Sequence, residues 1–168
     1  ACGTGLLTGV IAPGRKSLIS TDFSAKMLKR AKKKYGKYEN TRFEQADILH
    51  LDYRDASFDA VVAANVIHLL DEPYRALREL DRVCKPGGRI IIPTYMNSTD
   101  KGTTNCVSDV IGKAGADFKR EFTPGSYARF FSDAGYKNVG YTLCDGRIPC
   151  VVAVIWKTGG ENDESHDC

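Results

Sequence analysis

The sequence predicts an α/β protein whose central sheet is mostly parallel and carries helices on both faces. Three observations predict this class. Short apolar or β-branched segments alternate with helical patterns, one segment is almost entirely apolar, and the last two segments are joined by a short link. Strand and helix alternate in such sheets because parallel neighbours need a long crossover connection, usually a helix. The arrangement is a doubly wound sheet that ends in a reversed strand.

Length and composition are those of one globular domain, with 168 residues, 42% hydrophobic and 27% charged. We predict a domain over residues 1–158 and a disordered acidic tail over 159–168. No apolar run approaches the ~20 residues of a membrane helix, so no membrane partner and a cytoplasmic location are expected. The six cysteines form no C-x-x-C pair, which favours reduced thiols and no metal site.

The first strand and helix surround an aspartate. "KSLIST" predicts a strand ending at Asp22, and Ser24 then begins a helix that continues to about Tyr35 and stops at Gly36. One face of this helix carries Met27, Ala31 and Tyr35, at the four-residue spacing of a buried face. The lysines occupy the other face. We expect them to be solvated rather than to bind nucleic acid.

Three further strands follow in the same alternation. "TRFEQA" predicts a strand ending at Asp47, and "FDAVVAA" is apolar enough to be covered on both faces. A helix begins at Pro73, buries one side and is expected to stop at "KPGG". "RIIIPTY" then predicts the fourth strand.

The last part of the chain departs from this alternation. Residues 97–122 are polar, with a helix expected around 104–114. "TPGSYARFFSDAGY" predicts a helix ended by Gly135, with its inward residues being Tyr127, Phe130, Phe131 and Ala134. "KNVGYTLC" and "CVVAVIWK" are joined by a link too short for a crossover helix, so they must be antiparallel neighbours.

Ligands of doubly wound sheets bind at the carboxyl ends of the strands. The first candidate is "CGTG", where Gly3 and Gly5 let the backbone approach a ligand closely; a merely tight turn is the alternative. The second is Asp22, which follows Gly5 by 17 residues and can accept both hydroxyls of a ribose. A helix N-cap or a surface acid would be the other interpretations of Asp22.

Two more strand ends carry polar groups. Asp47 can accept from an exocyclic amine such as that of adenine while the backbone of Ile48 reads a ring nitrogen, or Asp47 is a solvated loop carboxylate. Asn65 and His68 follow the third strand and face the same crevice. His68 is either a proton acceptor or a packed histidine that donates to a backbone carbonyl.

Six segments in order resemble class I S-adenosylmethionine-dependent methyltransferases, closest to the ubiquinone/menaquinone-biosynthesis type (the methyltransferase type 11 group). They are "ACGTG", "STDFSAKML", "FEQADI", "FDAVVAANVIHLL", "LRELDRVCKPGGRIIIPTY" and "YARFFSDAGYKNV". The resemblance implies a Rossmann-like sheet of strand order 3-2-1-4-5-7-6. It also implies S-adenosyl-L-methionine as the cofactor.

The same resemblance implies a role for each site residue. The opening loop would wrap the methionine part of the cofactor, and its residues are Ala1, Cys2, Gly3, Thr4 and Gly5. Asp22 would hold the ribose, Phe23 and Met27 would flank the adenine, and Asp47 with Ile48 would read its edge. Asn65 would lie beside the methionine part through its backbone.

One feature departs from the family. There a strand ending in an acidic residue runs into "ACGTG" and lies in the middle of the sheet, and this sequence shows neither strand nor acid. We therefore expect the chain to be N-terminally truncated. Without that strand, the "KSLIST" and "FDAVVAA" strands keep unpaired backbone groups, which are costly to bury.

The expected function is transfer of a methyl group from S-adenosylmethionine to a small-molecule acceptor by in-line displacement. Catalysis then needs alignment and removal of water, and a base only if the acceptor loses a proton early. His68 is the candidate base, with Tyr95 as a weaker second candidate, and residues 97–122 would form one wall of the acceptor pocket.

The alternatives are an NAD(P)-dependent oxidoreductase and a non-catalytic S-adenosylmethionine-binding partner subunit. The spacing G-x-G-x-x-x-G and the terminal hairpin count against the oxidoreductase.

Overall fold

The computed structural model describes residues 1–96, 119–145 and 149–158. Within these ranges the strands are β1 Leu18–Asp22, β2 Thr41–Gln45, β3 Phe58–Val62, β4 Cys84–Tyr95, β5 Val139–Cys144 and β6 Cys150–Trp156. The helices are α1 Leu6–Ile11, α2 Ala25–Tyr35, α3 Pro73–Val83 and α4 Pro124–Asp133, and a single 3-10 turn spans Ile67–Leu69.

The strands are divided between two sheets. β1 and β2 form a parallel pair, and the second sheet has the order β3-β4-β6-β5. β3 and β4 are parallel, whereas β6 is antiparallel to both of its neighbours. The α/β class, the mostly parallel strand directions and the reversed last strand are confirmed.

The division falls where the family's middle strand would lie. Along the family order, β2 and β1 come before that position and β3, β4, β6 and β5 come after it. Among the described residues, no strand pairs with the second edge of β1 or of β3. The Cys2 N–H nevertheless donates to Thr21 O over 2.6 Å, so the opening loop begins beside the end of β1.

Burial of β3 differs from the prediction. The apolar strand was expected to be covered on both faces, but Ala60 is exposed and Val61 and Val62 are only half-buried. That expectation is wrong for the described chain. β3 is paired on one edge only, so its side chains lack those of a second neighbouring strand beside them, and the composition of the strand does not reveal this.

The "KPGG" segment also behaves differently. α3 already ends at Val83, and β4 begins at the next residue and runs through these four residues. Pairing with β3 shifts between Phe58/Cys84 and Ala60/Arg89, so the segment forms an irregularity within the strand. Gly87 has φ +75° there, which suits a glycine.

The main core lies between the four-stranded sheet and the helices α3 and α4. In α3 the buried side includes Leu77, Leu80 and Val83. The predicted inward positions of the α4 segment are buried as well, apart from Ala134, which is half-buried against the core. They pack against β4 and β6, whose inward residues include Ile90, Ile92, Ala153 and Ile155. The buried Tyr127 hydroxyl donates to Ile92 O over 2.7 Å, so this core position leaves no polar atom unsatisfied.

Helix α2 follows its prediction closely. It begins after Ser24, whose hydroxyl accepts from Met27 N, and it is followed by Gly36. Ala31 and Leu28 are its buried residues, while Met27 and Tyr35 are half-buried. Its lysines are exposed, as expected for a solvated face.

Several expectations lie outside the described residues: the helix around 104–114, most of the 97–122 wall and the acidic tail. In the part of the chain that is described, no helix has both the length and the apolar character needed to cross a bilayer. The same part contains no group of three or more histidine, cysteine or carboxylate side chains placed to hold a metal ion.

Candidate functional site

Asp22 is the centre of the first group of site residues. Its Oδ2 accepts from Gly3 N over 2.7 Å and its Oδ1 accepts from Ser24 N over 2.9 Å. The two backbone donors hold the carboxylate in one orientation between the opening loop and the start of α2. Each carboxylate oxygen has two acceptor sites, so a ligand hydroxyl can still bind to either one. Because Ser24 caps α2 itself, the N-cap interpretation of Asp22 is wrong.

Glycine serves different purposes at the two positions of the opening loop. Gly3 and Gly5 both have positive φ, +55° and +85°. A Cβ on Gly3 would meet nothing within 4 Å, so this side of the loop is open to a ligand. A Cβ on Gly5 would lie 2.7 Å from the Tyr35 ring. Gly5 therefore permits close packing on α2, a reason for this glycine that the sequence did not show.

The end of β2 is tied to the loop after β1. Gln45 Nε2 donates to Phe23 O over 2.9 Å. Asp47 follows two residues later, and its Oδ1 accepts from Leu49 N over 2.9 Å, which closes a local turn. The Phe23 side chain is 72% exposed beside Asp22. An exposed aromatic ring next to a fixed carboxylate is suited to stacking on a planar ligand.

The remaining predicted members of this group occupy intermediate positions. Met27 lies in the first turn of α2 and is half-buried. Ile48 is half-buried and packs against the main core. Cys2 is half-buried as well, whereas Ala1 and Thr4 are exposed. Opening loop, Asp22 and the β2 loop thus come together at the carboxyl end of the two-stranded sheet.

Asn65 leads the second group, at the carboxyl ends of β3 and β4. Its φ of +51° is in the left-handed region, which asparagine tolerates better than most residues. Its N–H donates to Pro93 O over 2.8 Å, and its Oδ1 accepts from Tyr95 N over 3.1 Å. Such backbone positions cluster at functional sites. The link to Tyr95 was not predictable from either local segment.

His68 lies in the 3-10 turn behind Asn65 and is only 5% exposed. Burial, and then the positive charge of Arg120, lower its pKa to about 4. The imidazole is therefore neutral near pH 7 and a weak base, since a general base works best with a pKa near the working pH. Its burial and its lowered pKa favour the packed interpretation of His68, and its role as a base stays a prediction.

Arg120 is a residue of this region that the sequence did not single out. Its Nη1 donates to Leu70 O over 2.8 Å and to Ile67 O over 3.3 Å, and its backbone N–H donates to His68 O over 3.2 Å. The guanidinium thus fastens residues 119–120 onto the turn that carries His68. Its position in a polar segment without periodicity gave no signal for this contact.

Comparison with known proteins places these features in a family. The sequence profile of the family described as "Methyltransferase domain" matches residues 1–92, which is more than half of the chain. The match contains the opening loop, Asp22, Asp47 and Asn65.

Curated relatives share moderate identity. The demethylmenaquinone methyltransferase of Clavibacter sepedonicus is 37% identical over 92 residues, which cover 55% of this chain and 38% of the relative. The phosphatidylethanolamine N-methyltransferase of Cereibacter sphaeroides is 33% identical over 114 residues, which cover 66% of this chain and 55% of the relative. The chain thus spans roughly half of the length of these proteins.

Solved structures share the fold at low identity. A SAM-dependent methyltransferase from Aquifex aeolicus superposes with a TM-score of 0.71 at 20% identity, covering 94% of this chain and 79% of that one. The YcgJ protein from Bacillus subtilis gives a TM-score of 0.71 at 16% identity, covering 95% of this chain and 90% of that one. Together with the sequence profile, the site geometry and the strand order, this leads to one conclusion: the chain belongs to the methyltransferase domain family.

Proposed function

We propose that the protein transfers a methyl group from S-adenosyl-L-methionine to a small-molecule acceptor. S-adenosyl-L-methionine is the cofactor that the family implies. The observation that carries the proposal is the Asp22 carboxylate, held by Gly3 N and Ser24 N beside the open side of Gly3. A fixed acceptor pair next to an uncovered backbone suits a ribose and the chain attached to it.

The residues present fit this cofactor. Asp22 would accept from the ribose hydroxyls, and residues 1–5 would lie along the methionine part. Phe23 and Met27 would flank the adenine, with Asp47 and Ile48 at its edge. Asn65 would contact the methionine part through its backbone, where the positive φ turns the chain at the end of β3.

Bound S-adenosylmethionine supplies an electrophilic methyl group on a sulfonium that is already a good leaving group. The protein's own task is therefore to orient the acceptor and exclude water. This is consistent with a site that offers backbone amides, two carboxylates and an aromatic ring. The buried His68, with its lowered pKa, would be a poor proton acceptor at neutral pH.

We further propose that the acceptor is an amphiphilic, lipid-soluble small molecule. Two relatives support this class, because one is named for demethylmenaquinone and the other for phosphatidylethanolamine. Tyr95, 37% exposed at the end of β4, would contribute an aromatic surface on the acceptor side. We also propose a cytoplasmic location, because cysteines scattered without a C-x-x-C pair favour reduced thiols.

The test has two steps. Calorimetric titration of the protein with S-adenosylmethionine and, separately, with NAD identifies the cofactor. Turnover of methyl-labelled S-adenosylmethionine is then measured with demethylmenaquinone, phosphatidylethanolamine and a water-soluble catechol as acceptors.

Binding of S-adenosylmethionine alone, with label appearing in a lipid-soluble acceptor, is the expected result. Selective binding of NAD would replace the proposal with an oxidoreductase. Tight binding of S-adenosylmethionine without turnover of any acceptor would favour a non-catalytic partner subunit. Turnover of the catechol alone would refute the lipid-soluble class while leaving methyl transfer standing.

A further inference from the structure

Two cysteines face each other across the final hairpin. Cys144 ends β5, Cys150 begins β6, and the two are direct partners in the antiparallel register. Directly opposed residues project from the same face of the sheet, with Cα atoms about 4.5–5.5 Å apart. A disulfide requires about 4.4–6.8 Å between the Cα atoms. The backbone therefore already holds the pair at bridging distance.

The pair is accessible to a reagent from solution. Cys144 is exposed and Cys150 is half-buried. Cys84, in contrast, is fully buried, and its Sγ points toward Lys85 O at 3.7 Å. Among the described cysteines, Cys144 and Cys150 are the two that oppose each other in a sheet.

The pair lies in the four-stranded sheet, at the same end as the Asn65 group of the candidate site. Cys150 is also the register partner of Tyr95, so Tyr95, Cys150 and Cys144 form one row across β4, β6 and β5. Pro149 O accepts from Met96 N over 2.9 Å, which anchors the start of β6 to the end of β4. A bridge between the two cysteines would extend this anchoring to β5.

The hydrogen-bond pattern indicates that such a bridge would be labile. Trp156 N donates to Asn138 O, so these two opposed residues form a hydrogen-bonded pair. Hydrogen-bonded pairs recur at every second position of an antiparallel ladder, and Cys144 with Cys150 lies six positions farther along the register. The two cysteines are therefore also a hydrogen-bonded pair. Side chains of hydrogen-bonded pairs stand farther apart than those of the alternate pairs. A disulfide formed there is strained, and strained, exposed disulfides are the easily reduced ones.

We propose that Cys144 and Cys150 are a reversible redox site, oxidised to a disulfide by a small disulfide such as oxidised glutathione. The Cys144 thiolate attacks one sulfur of the oxidant, forming a mixed disulfide and releasing one glutathione thiolate. The Cys150 thiolate then attacks the Cys144 sulfur and releases the second. Two protein thiols lose two electrons, the oxidant gains them, and the two thiol protons end on the two glutathione molecules.

The order of attack follows from the surroundings. Burial, followed by the proximity of Cys144, raises the pKa of Cys150. The exposed Cys144 is therefore the first to meet the oxidant, and Cys150 is the resolving thiol. This chemistry does not depend on the proposed methyl transfer and is tested without it.

The experiment exposes the full chain to oxidised glutathione, unfolds it in denaturant and then labels the remaining thiols with N-ethylmaleimide. We expect the labelled thiols to fall by two, from the six of the reduced chain, and dithiothreitol to restore them. Arg147 separates the two cysteines in sequence, so trypsin places them on different peptides. Those two peptides should run as one linked species that separates on reduction.

Variants identify the site. Cys144→Ser and Cys150→Ser should each abolish the linked peptide, whereas the matched control Cys2→Ser should leave it unchanged. Thermal melting of each variant confirms that it is folded. The proposal is overturned if both peptides remain separate after oxidation, whether unmodified or as glutathione adducts. A bridge from either cysteine to Cys106 or Cys168 would also overturn it.

Discussion

The two sheets of the molecule differ in how much buried apolar surface stabilises each of them. Every residue of the main buried cluster comes from residue 51 or later, where aromatic side chains of α4 pack on β4 and β6. Around β1 and β2 the buried positions are fewer and smaller, such as Leu28, Ala31 and the hydrogen-bonded pair Thr8 and Ser20. The two-stranded side instead holds the fixed Asp22 carboxylate and the open Gly3.

This difference separates the chemistry of the candidate site from the energetics of the fold. The four-stranded side buries enough apolar surface to stabilise the structure, whereas the two-stranded side presents polar groups and open backbone. Binding regions are commonly drawn from the less stable parts of a protein. Substitutions on the two-stranded side should therefore change mainly cofactor affinity, and substitutions on the four-stranded side should change mainly the free energy of unfolding.

The largest expected effect is on stability, from Phe131→Ala. Phe131 is fully buried among the rings of α4, so its removal should lower the free energy of unfolding by about 3–5 kcal/mol. Denaturant titration measures this. Phe23→Ala is the control, because Phe23 is 72% exposed and its loss should change stability by less than about 0.5 kcal/mol. Equal losses of stability in the two variants would contradict the proposed difference in stability between the two sheets.

The next effect is on binding, from Asp22→Ala. Loss of the ribose-accepting carboxylate should weaken S-adenosylmethionine binding by about 2–4 kcal/mol, read by calorimetry. Asp133→Ala, an exposed carboxylate of α4, serves as the control and should bind normally. If Asp22→Ala binds as tightly as the unaltered chain, the ribose lies elsewhere.

A smaller effect concerns the contact between the loop at Leu51 and α3. The Arg82 hydrogen bond, aided by the Leu51 N–H, lowers the pKa of Glu79 to about 2, below its ordinary 4.5. A lowered carboxyl pKa contributes stability above the unfolded value and loses it as the pH falls toward the folded value. Acid should therefore destabilise the fold between about pH 4.5 and 2.

Glu79→Gln tests this contribution. It should cost roughly 1–3 kcal/mol at pH 7 and flatten the stability profile in that acid window, as measured by denaturation at several pH values. The exposed ion pair of Glu72 with Arg75 provides the matched control, since Glu72→Gln should cost no more than about 1 kcal/mol. An unchanged acid profile in Glu79→Gln would contradict the assignment.

The smallest expected effect is on turnover, from His68→Gln. Because the pKa of His68 is lowered to about 4, the side chain is a poor base at neutral pH. With the acceptor that the panel identifies, kcat should change by less than about tenfold, since loss of a general base costs about 10²–10⁴-fold. A folded variant with normal cofactor affinity but a loss above 100-fold would restore His68 as the catalytic base.

Much of the fold could be predicted from local sequence patterns, because helix caps, apolar periodicity and link lengths depend on residues close together in the chain. The Ser24 cap of α2, the inward faces of α3 and α4 and the reversed final hairpin follow from side-chain spacing and link length. The position of Asp22 at the end of β1, beside the glycine loop, was readable as well, whereas its role in ribose binding stays a prediction.

Only the tertiary structure decided what depends on distant partners. It placed Gly5 against the ring of Tyr35, made "KPGG" an irregularity within β4, and left Ala60 exposed. It also joined Asn65 to Tyr95 and set Cys144 opposite Cys150. Periodicity reports which face of an element is apolar, but the neighbour that meets this face is chosen by the packing of the whole chain.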